Sequence, residues 1–118
     1  MPDLERGFCL LGVMKISQVD LIKIFQKTNG RCLYCNRQGE VIDHFISKQK
    51  WMEWDLENTP LKGKLNSLEN LFLACKKCNS SKRDKCPEDF IGNPFKCWSR
   101  YNRANRRVIK DYEIPNYY

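Results

Sequence analysis

Four cysteines of the chain form two C-x-x-C pairs, and residues with reactive side chains lie between and beside them. The pairs are Cys32 with Cys35 and Cys75 with Cys78. Between them stands the dipeptide Asp43-His44, with the only histidine of the sequence, and Asn79 directly follows the last cysteine. Thiolates bind Zn²⁺ well, and two such pairs fill its tetrahedral shell. We therefore predict a structural zinc site formed by the four cysteines.

Other interpretations of the cysteines agree less well with the sequence. A thioredoxin-like redox pair would open a helix in a βαβ unit, and neither pair does so. Seven cysteines are an odd number, which argues against a fully paired disulfide framework. The three left over are interpreted as small buried hydrophobic residues rather than as a second metal site: Cys9, Cys86 and Cys97. With no visible signal peptide or membrane-spanning apolar run, we expect a reducing, cytoplasmic location.

Asp43, His44 and Asn79 have the side chains that a catalytic metal site requires. Neighbouring residues on a β-strand point to opposite sides, so one of the pair can bind a metal while the other faces a water. Mg²⁺ prefers oxygen ligands, which Asp43 and Asn79 both offer. His44 can act as a general base near neutral pH. The zinc site would bring these segments together.

The elements that must position these residues can be read along the chain. Ser17 is a helix N-cap and Asn29-Gly30 a helix end. The polar connection 47–68 carries Trp51 and Trp54, which either pack as a satellite cluster or contact a partner. The N-cap and the helix end delimit a predicted helix at 17–28. The other predicted elements are strands Val41–Ile46 and Leu68–Ala74, a helix-compatible segment 79–85, and a helix from Pro94 to Tyr112. Residues 1–16 show no clear period.

Basic residues dominate the charge of the chain, which is formally +7 over 118 residues. They concentrate after the second cysteine pair and near the C-terminus, and the candidates for nucleic-acid contacts are Lys82, Arg83, Lys85, Arg100, Arg103 and Arg107. A solvated helix face is the alternative explanation. Because the predicted active site calls for a phosphate-binding surface, we favour contact with the DNA backbone and expect strongly salt-dependent binding.

The order of these motifs resembles the HNH endonuclease family, the ββα-metal or His-Me finger nucleases with cysteine knuckles. The resemblance covers roughly residues 17–85 and includes the motif C-x-x-C-N-x-x-K after the second strand. It implies that His44 is the general base and that Asp43 and Asn79 hold a divalent cation, Mg²⁺ or Mn²⁺. It further implies that Asn70 shapes the motif loop by hydrogen bonding and that Lys82 faces the phosphate backbone. The connection 47–68 departs from the family pattern, since it lacks the small glycine-containing turn.

The resulting prediction is an α+β fold, a small zinc-stapled ββα-metal finger with flanking helices. Residues 1–118 would form one nuclease domain, with the core motif at about 17–85 and a basic helical extension at about 86–118. The predicted function is metal-dependent hydrolysis of DNA phosphodiester bonds. One active site cuts one strand, so double-stranded DNA would be broken by a homodimer, by successive nicks or with a partner protein.

Two alternatives stay open at this point. A catalytically inactive, zinc-stabilised nucleic-acid-binding module would share the cysteines and the charge, although it would not need Asp43, His44 and Asn79 together. A zinc-stapled protein-interaction domain would instead use Trp51 and Trp54. Family members act in restriction, homing and phage packaging, and the sequence does not choose among these roles.

Overall fold

Five helices and two strands lie within residues 16–110, the part of the chain that the computed structural model describes. The strands are β1 (Val41–His44) and β2 (Leu71–Ala74), and the helices are α1 (Gln18–Lys27), α2 (Lys48–Glu53), α3 (Lys76–Lys82), α4 (Pro87–Ile91) and α5 (Pro94–Val108). Short 3₁₀ turns occupy Leu56–Asn58 and Leu68–Asn70. Helices combined with a small two-stranded sheet confirm the predicted α+β class.

The first helix begins and ends as its capping residues predict. The Ser17 hydroxyl accepts a hydrogen bond from the Asp20 amide at 3.1 Å. Asn29 and Gly30 follow the helix with φ angles of 53° and 78°, which glycine adopts without steric cost. A Cβ on Gly30 would stand 2.6 Å from the ring of Phe25, so the glycine is also needed for packing.

The two strands are shorter than predicted, because a 3₁₀ turn takes the place of the first three residues of the second predicted strand. β1 and β2 are antiparallel, with Val41 opposite Ala74 and His44 opposite Leu71. Beyond His44 the chain leaves the ladder, while on the other side the residues before Leu71 form the 3₁₀ turn Leu68–Asn70 instead of a strand. The sheet is therefore short, with four paired residues in each strand.

The last helix covers the sheet with aromatic side chains. The ring of Tyr101 on α5 lies 4.9 Å from that of Phe45 and 5.6 Å from that of Phe72, and both phenylalanines are fully buried. α5 begins at Pro94 as predicted and ends at Val108; Tyr112, like Cys9 and nearly all of segment 1–16, lies outside the described residues. Among residues 16–110, no helix has the length and apolar composition that crossing a membrane requires.

The connection 47–68 is structured, and its two tryptophans differ. Ser47 caps α2, and Trp51 on that helix is buried in the main core, with its indole N–H donating to Glu57 at 2.8 Å. Trp54 remains 41% exposed. Trp51 therefore packs, but in the main core and not in the satellite cluster that was one of the two expectations.

Lys27, at the end of α1, is buried between that helix and the sheet. Its ammonium group donates to the carbonyl oxygens of Leu68 and Leu71, at 2.8 Å for the latter, and lies 4.1 Å from the centre of the Phe72 ring. Burial lowers the pKa of Lys27 from 10.5 to about 7, although the charge of Glu69 raises it in part. The folded protein thus releases this proton far more easily than the unfolded chain.

We predict that Lys27 makes the protein more stable as the pH rises from 7 to 9. The unfolded chain keeps the lysine protonated up to about 10.5, whereas the folded chain loses the proton near 7, so the free energy of unfolding increases across this window. The expected gain is about 2 kcal/mol, measured by urea denaturation at both pH values. Lys27→Met should lack it, while the exposed-site control Lys48→Met should keep it. Equal pH dependence in all three proteins would contradict the prediction.

Candidate functional site

The four cysteines converge to a single cluster. Their sulfur atoms all lie within 4.8 Å of one another, and Cys35 Sγ is 3.6 Å from Cys75 Sγ. Tetrahedral Zn²⁺ with Zn–S bonds of about 2.3 Å separates its sulfur ligands by roughly 3.8 Å, so the cluster fits this ion. The 3.6 Å separation is too long for a disulfide. The prediction that these cysteines come together to form a site that could bind zinc is confirmed.

Local backbone structure presents each cysteine pair. Arg31 and Gln38 form an antiparallel bridge that closes the turn 31–38, called here the first cysteine turn. Within this turn the Cys32 amide donates to the carbonyl oxygen of Arg37 at 2.6 Å. The second pair stands at the start of α3, where Cys75 is the N-cap and its sulfur accepts from the Cys78 amide. The sulfurs of a tight turn and of a helix N-terminus therefore face each other.

The cysteine thiols differ in how readily they ionise. Burial raises the pKa of Cys32, and burial together with hydrogen bonds to neighbouring thiols raises that of Cys78. Although burial opposes it, hydrogen bonds from the Arg37 backbone and from the other thiols lower the pKa of Cys35 to about 7. A metal ion must displace protons to bind thiolates, so binding here is expected to weaken as the pH falls.

Asp43 takes part in a buried network of charges and hydrogen bonds. Its Oδ2 atom accepts from the Tyr34 hydroxyl at 2.5 Å and lies 3.3 Å from the Lys82 ammonium. Lys82 also donates to the backbone oxygen of His44 at 2.9 Å. Asp43 is 8% exposed and Lys82 fully buried. The network joins the first cysteine turn, β1 and α3.

The protonation of this network follows from burial. Burial raises the pKa of Asp43, and the charge of Lys82 and the hydrogen bond from Tyr34 partly reverse that rise. Burial and the nearby Asp43 charge raise the pKa of Tyr34 well above its usual value, so the phenol keeps the proton that it donates. Both contacts of Asp43 use Oδ2, and within residues 16–110 no hydrogen bond reaches Oδ1.

His44 belongs to the opposite side of β1 and meets a residue that the sequence analysis did not identify. Its Nε2 atom lies 2.7 Å from Oδ1 of Asn66, in the connection 47–68. The imidazole is half-buried. No motif or spacing marks Asn66, because its position near His44 depends on how the whole connection folds back.

Asn70 holds the exit of β1 and the end of the connection together. Its side-chain oxygen accepts from the Ile46 amide at 2.8 Å, and its amide group donates to the carbonyl oxygens of Ile46 and Leu65 at 3.0 and 2.8 Å. The residue is 4% exposed. These contacts tie the backbone that follows His44 to the backbone that precedes Asn66.

Asn79 is half-buried on α3, the helix that packs against β1. Residues three positions apart share one face of a helix, so Asn79 and Lys82 leave α3 on the same side. Since Lys82 reaches Asp43 from that side, Asn79 lies one helical turn from the aspartate contact.

The basic candidates do not form one surface. Lys82 is not on the surface as expected of a residue facing phosphate, because its ammonium is buried against Asp43. Arg83 and Lys85 are exposed just after α3. The three C-terminal candidates lie together elsewhere, on α5 beside the end of α1: Arg100, Arg103 and Arg107.

A comparison with protein-family models supports this arrangement. Residues 32–85 match the family model described as HNH endonuclease. The matched segment contains both cysteine pairs, Asp43, His44, Asn70 and Asn79, and it excludes α1 and α5. The resemblance to this family is therefore confirmed for the central segment. No curated protein matches the chain.

We predict that the wild-type protein binds one zinc ion and that Cys75→Ser loses both the metal and most of the folded population. In zinc-finger peptides, zinc contributes about 10–16 kcal/mol to folding, more than a small domain has to spare. Metal content by mass spectrometry and the melting temperature measure the effect. Cys86→Ser, which changes a cysteine outside the cluster, is the control and should keep its zinc. An unchanged melting temperature in Cys75→Ser would contradict the prediction.

We also predict that Lys82→Met destabilises the protein by about 3–5 kcal/mol, because it leaves the Asp43 carboxylate buried without its cation. Removing both charges in Asp43→Asn/Lys82→Met should restore much of this loss. Arg83→Met, which removes the neighbouring exposed cation, should cost less than about 0.5 kcal/mol. Urea denaturation at pH 7 compares the variants, and equal stability of Lys82→Met and Arg83→Met would show that the ion pair carries no stability.

Proposed function

We propose that the protein is a metal-dependent endonuclease that hydrolyses DNA phosphodiester bonds at β1 and α3. The observation that carries this proposal is the placement of Asp43 and His44 on opposite sides of β1, inside the segment that matches the HNH model. The aspartate is turned toward the helix that bears Asn79, while the histidine is half-buried and therefore partly accessible to solvent. A cation site and a base can thus act on one phosphate from different directions.

His44 is proposed as the general base, with Asn66 as its support. A carboxamide oxygen can only accept a hydrogen bond, so the contact with Asn66 Oδ1 puts the proton of the neutral ring on Nε2. The lone pair is then on Nδ1, which would take a proton from the attacking water. The water oxygen bonds to phosphorus as the bond to the 3′ oxygen breaks, and the departing 3′ oxygen takes a proton from solvent water, which leaves 5′-phosphate and 3′-hydroxyl ends.

Asp43 and Asn79 are proposed to hold Mg²⁺ or Mn²⁺. Tyr34 and Lys82 engage Oδ2 of Asp43 and so fix the rotation of the carboxylate, while Oδ1 has no partner among the described residues. Two oxygen ligands from the protein are the sparse set that is usual for Mg²⁺, which retains water and substrate oxygens. When bound, the cation would stabilise the negative charge that develops on the phosphate.

Double-stranded DNA is the proposed substrate. The net charge of +7 favours a polyanion, and the exposed Arg83 and Lys85 follow α3 directly, next to the proposed metal ligands. One such site cuts one strand, so we expect nicking by a single protein and double-strand breaks through a homodimer or a partner. The free thiols among the described residues support a reducing, cytoplasmic location.

An inactive nucleic-acid-binding module is the second candidate. The observation in its favour is that the Asp43 carboxylate is already neutralised by Lys82 and hydrogen-bonded to Tyr34, which reduces its attraction for a cation. The two candidates differ in one measurable property, cleavage in the presence of a divalent cation.

We predict that the wild-type protein nicks supercoiled plasmid with Mg²⁺ or Mn²⁺ and that His44→Ala lowers the rate by about 10²–10⁴-fold, because no base remains to activate the water. Agarose gels separate supercoiled, nicked and linear DNA. Melting temperature, zinc content and DNA affinity of His44→Ala should stay close to wild type.

Gln49→Ala, an exposed substitution on α2, is the matched control and should cut at the wild-type rate. Native cleavage by His44→Ala would refute the assignment of the base. Wild-type protein that binds DNA and leaves it uncut with either cation would favour the inactive module.

A further inference from the structure

Four arginines line a groove that is separate from the Asp43 and His44 site. The groove has a volume of about 320 Å³, is open to solvent, and lies between the end of α1, the first cysteine turn and α5. Its arginines are Arg31, Arg100, Arg103 and Arg107. No aspartate or glutamate is among its lining residues. This four-arginine groove is therefore a strongly positive feature of the described surface.

The arginines approach the groove from two walls. Arg100, Arg103 and Arg107 stand at spacings of three and four along α5, which places them in one stripe on the helix. Arg31 comes from the turn on the other side. Guanidinium groups on facing walls can contact one ligand, or neighbouring parts of one chain, together.

Backbone carbonyl groups, not carboxylates, hold three of the four arginines in place. Arg100 donates to the carbonyl oxygen of Tyr34 at 3.0 Å, Arg107 to that of Lys27 at 3.4 Å, and Arg31 to that of Asn36 at 3.2 Å. Among residues 16–110, no carboxylate lies within ion-pair distance of the four guanidiniums. Three of the four charges are thus oriented, none is neutralised by a carboxylate of the described residues, and each guanidinium retains further N–H donors.

A phosphate group fits these donors. Guanidinium pairs with phosphate in a bidentate geometry, which is why arginine is enriched where phosphate is recognised. Pockets for small organic ligands are mainly apolar and enclose most of the ligand, whereas this groove is polar and open at its surface. An open, positively charged channel suits a chain of phosphates that passes through it.

The first cysteine turn separates the groove from the proposed active site. Leu33 lines the groove, and the next residue, Tyr34, uses its hydroxyl to hold Asp43 and its backbone oxygen to accept from Arg100. A nucleic acid in the groove would thus be positioned through the same turn that supports the proposed metal ligand, while remaining on the far side of it.

We propose that the four-arginine groove binds a stretch of nucleic-acid sugar-phosphate backbone distinct from the one that is cut, which sets the register of the substrate. The identification of the ligand as DNA rests on the proposed function, whereas the inference that the groove binds phosphate groups rests only on its arginines. Each guanidinium that neutralises a phosphate releases about one counterion, so the groove makes binding weaker at higher salt.

Full-length, zinc-loaded protein tests this proposal with a fluorescent DNA duplex and no added divalent cation. Affinity is measured by anisotropy at several salt concentrations for Arg31→Gln/Arg103→Gln. We expect a loss of about 10- to 100-fold at 0.1 M salt and a salt-dependence slope smaller by about two. The control Arg37→Gln/Arg106→Gln removes the same charges from exposed sites outside the groove and should change affinity less than about threefold.

The outcomes separate the groove from the proposed function. If both double variants lose DNA affinity equally, or if neither loses any, the proposal that the groove binds DNA is overturned. Inorganic phosphate should compete with DNA only weakly; a groove pair that loses phosphate competition but keeps its DNA affinity marks a small-anion site and also overturns the proposal. Plasmid nicking by wild-type protein is scored separately, so an inactive wild type with a groove-dependent affinity contradicts the nuclease and supports the groove.

Discussion

The buried ion pair between Asp43 and Lys82 links the three segments on which the site depends. Lys82 reaches from α3 to a carboxylate on β1, and Tyr34 reaches the same carboxylate from the first cysteine turn. Transferring either charge alone into the interior would cost several kcal/mol, so each requires the other. The pair therefore restricts how α3 can sit on β1, and the cysteine cluster restricts the same helix at its other end, where Cys75 begins it.

β1 places two neighbouring side chains in different environments because it is a strand. Asp43 meets charged and phenolic groups in a dry environment, while one residue later His44 meets an amide in a wetter one. The connection 47–68 completes the second environment, since Asn70 anchors its end and brings Asn66 to the imidazole. A segment that departs from the family pattern in sequence thus supplies the partner of the only histidine, and Trp51 secures that segment to the core.

The first cysteine turn lies between the buried Asp43 carboxylate and the four-arginine groove. On one side it supports the proposed metal ligand, and on the other it forms a wall of the four-arginine groove. Arg100 contacts the backbone of Tyr34, so a single residue connects a surface positive charge to the buried carboxylate network. With a net charge of +7, the protein carries exposed basic side chains both after α3 and along the groove, as the proposed contacts with a polyanion require.

The sequence by itself determined the features that short-range chemistry controls. Ser17 and Asn29-Gly30 delimit α1 through local hydrogen bonds and φ angles, and the two C-x-x-C pairs predict their own cluster because thiolate spacing is matched to a tetrahedral ion. Tertiary structure alone decided the burial of Lys82, the contact of Asn66 with His44, and the approach of Arg31 to the arginines of α5. These contacts join chain segments that are distant in sequence. The local sequence around a lysine is the same whether the side chain is exposed at the surface or buried against a carboxylate. Only the packing of α3, α5 and the connection 47–68 distinguishes them.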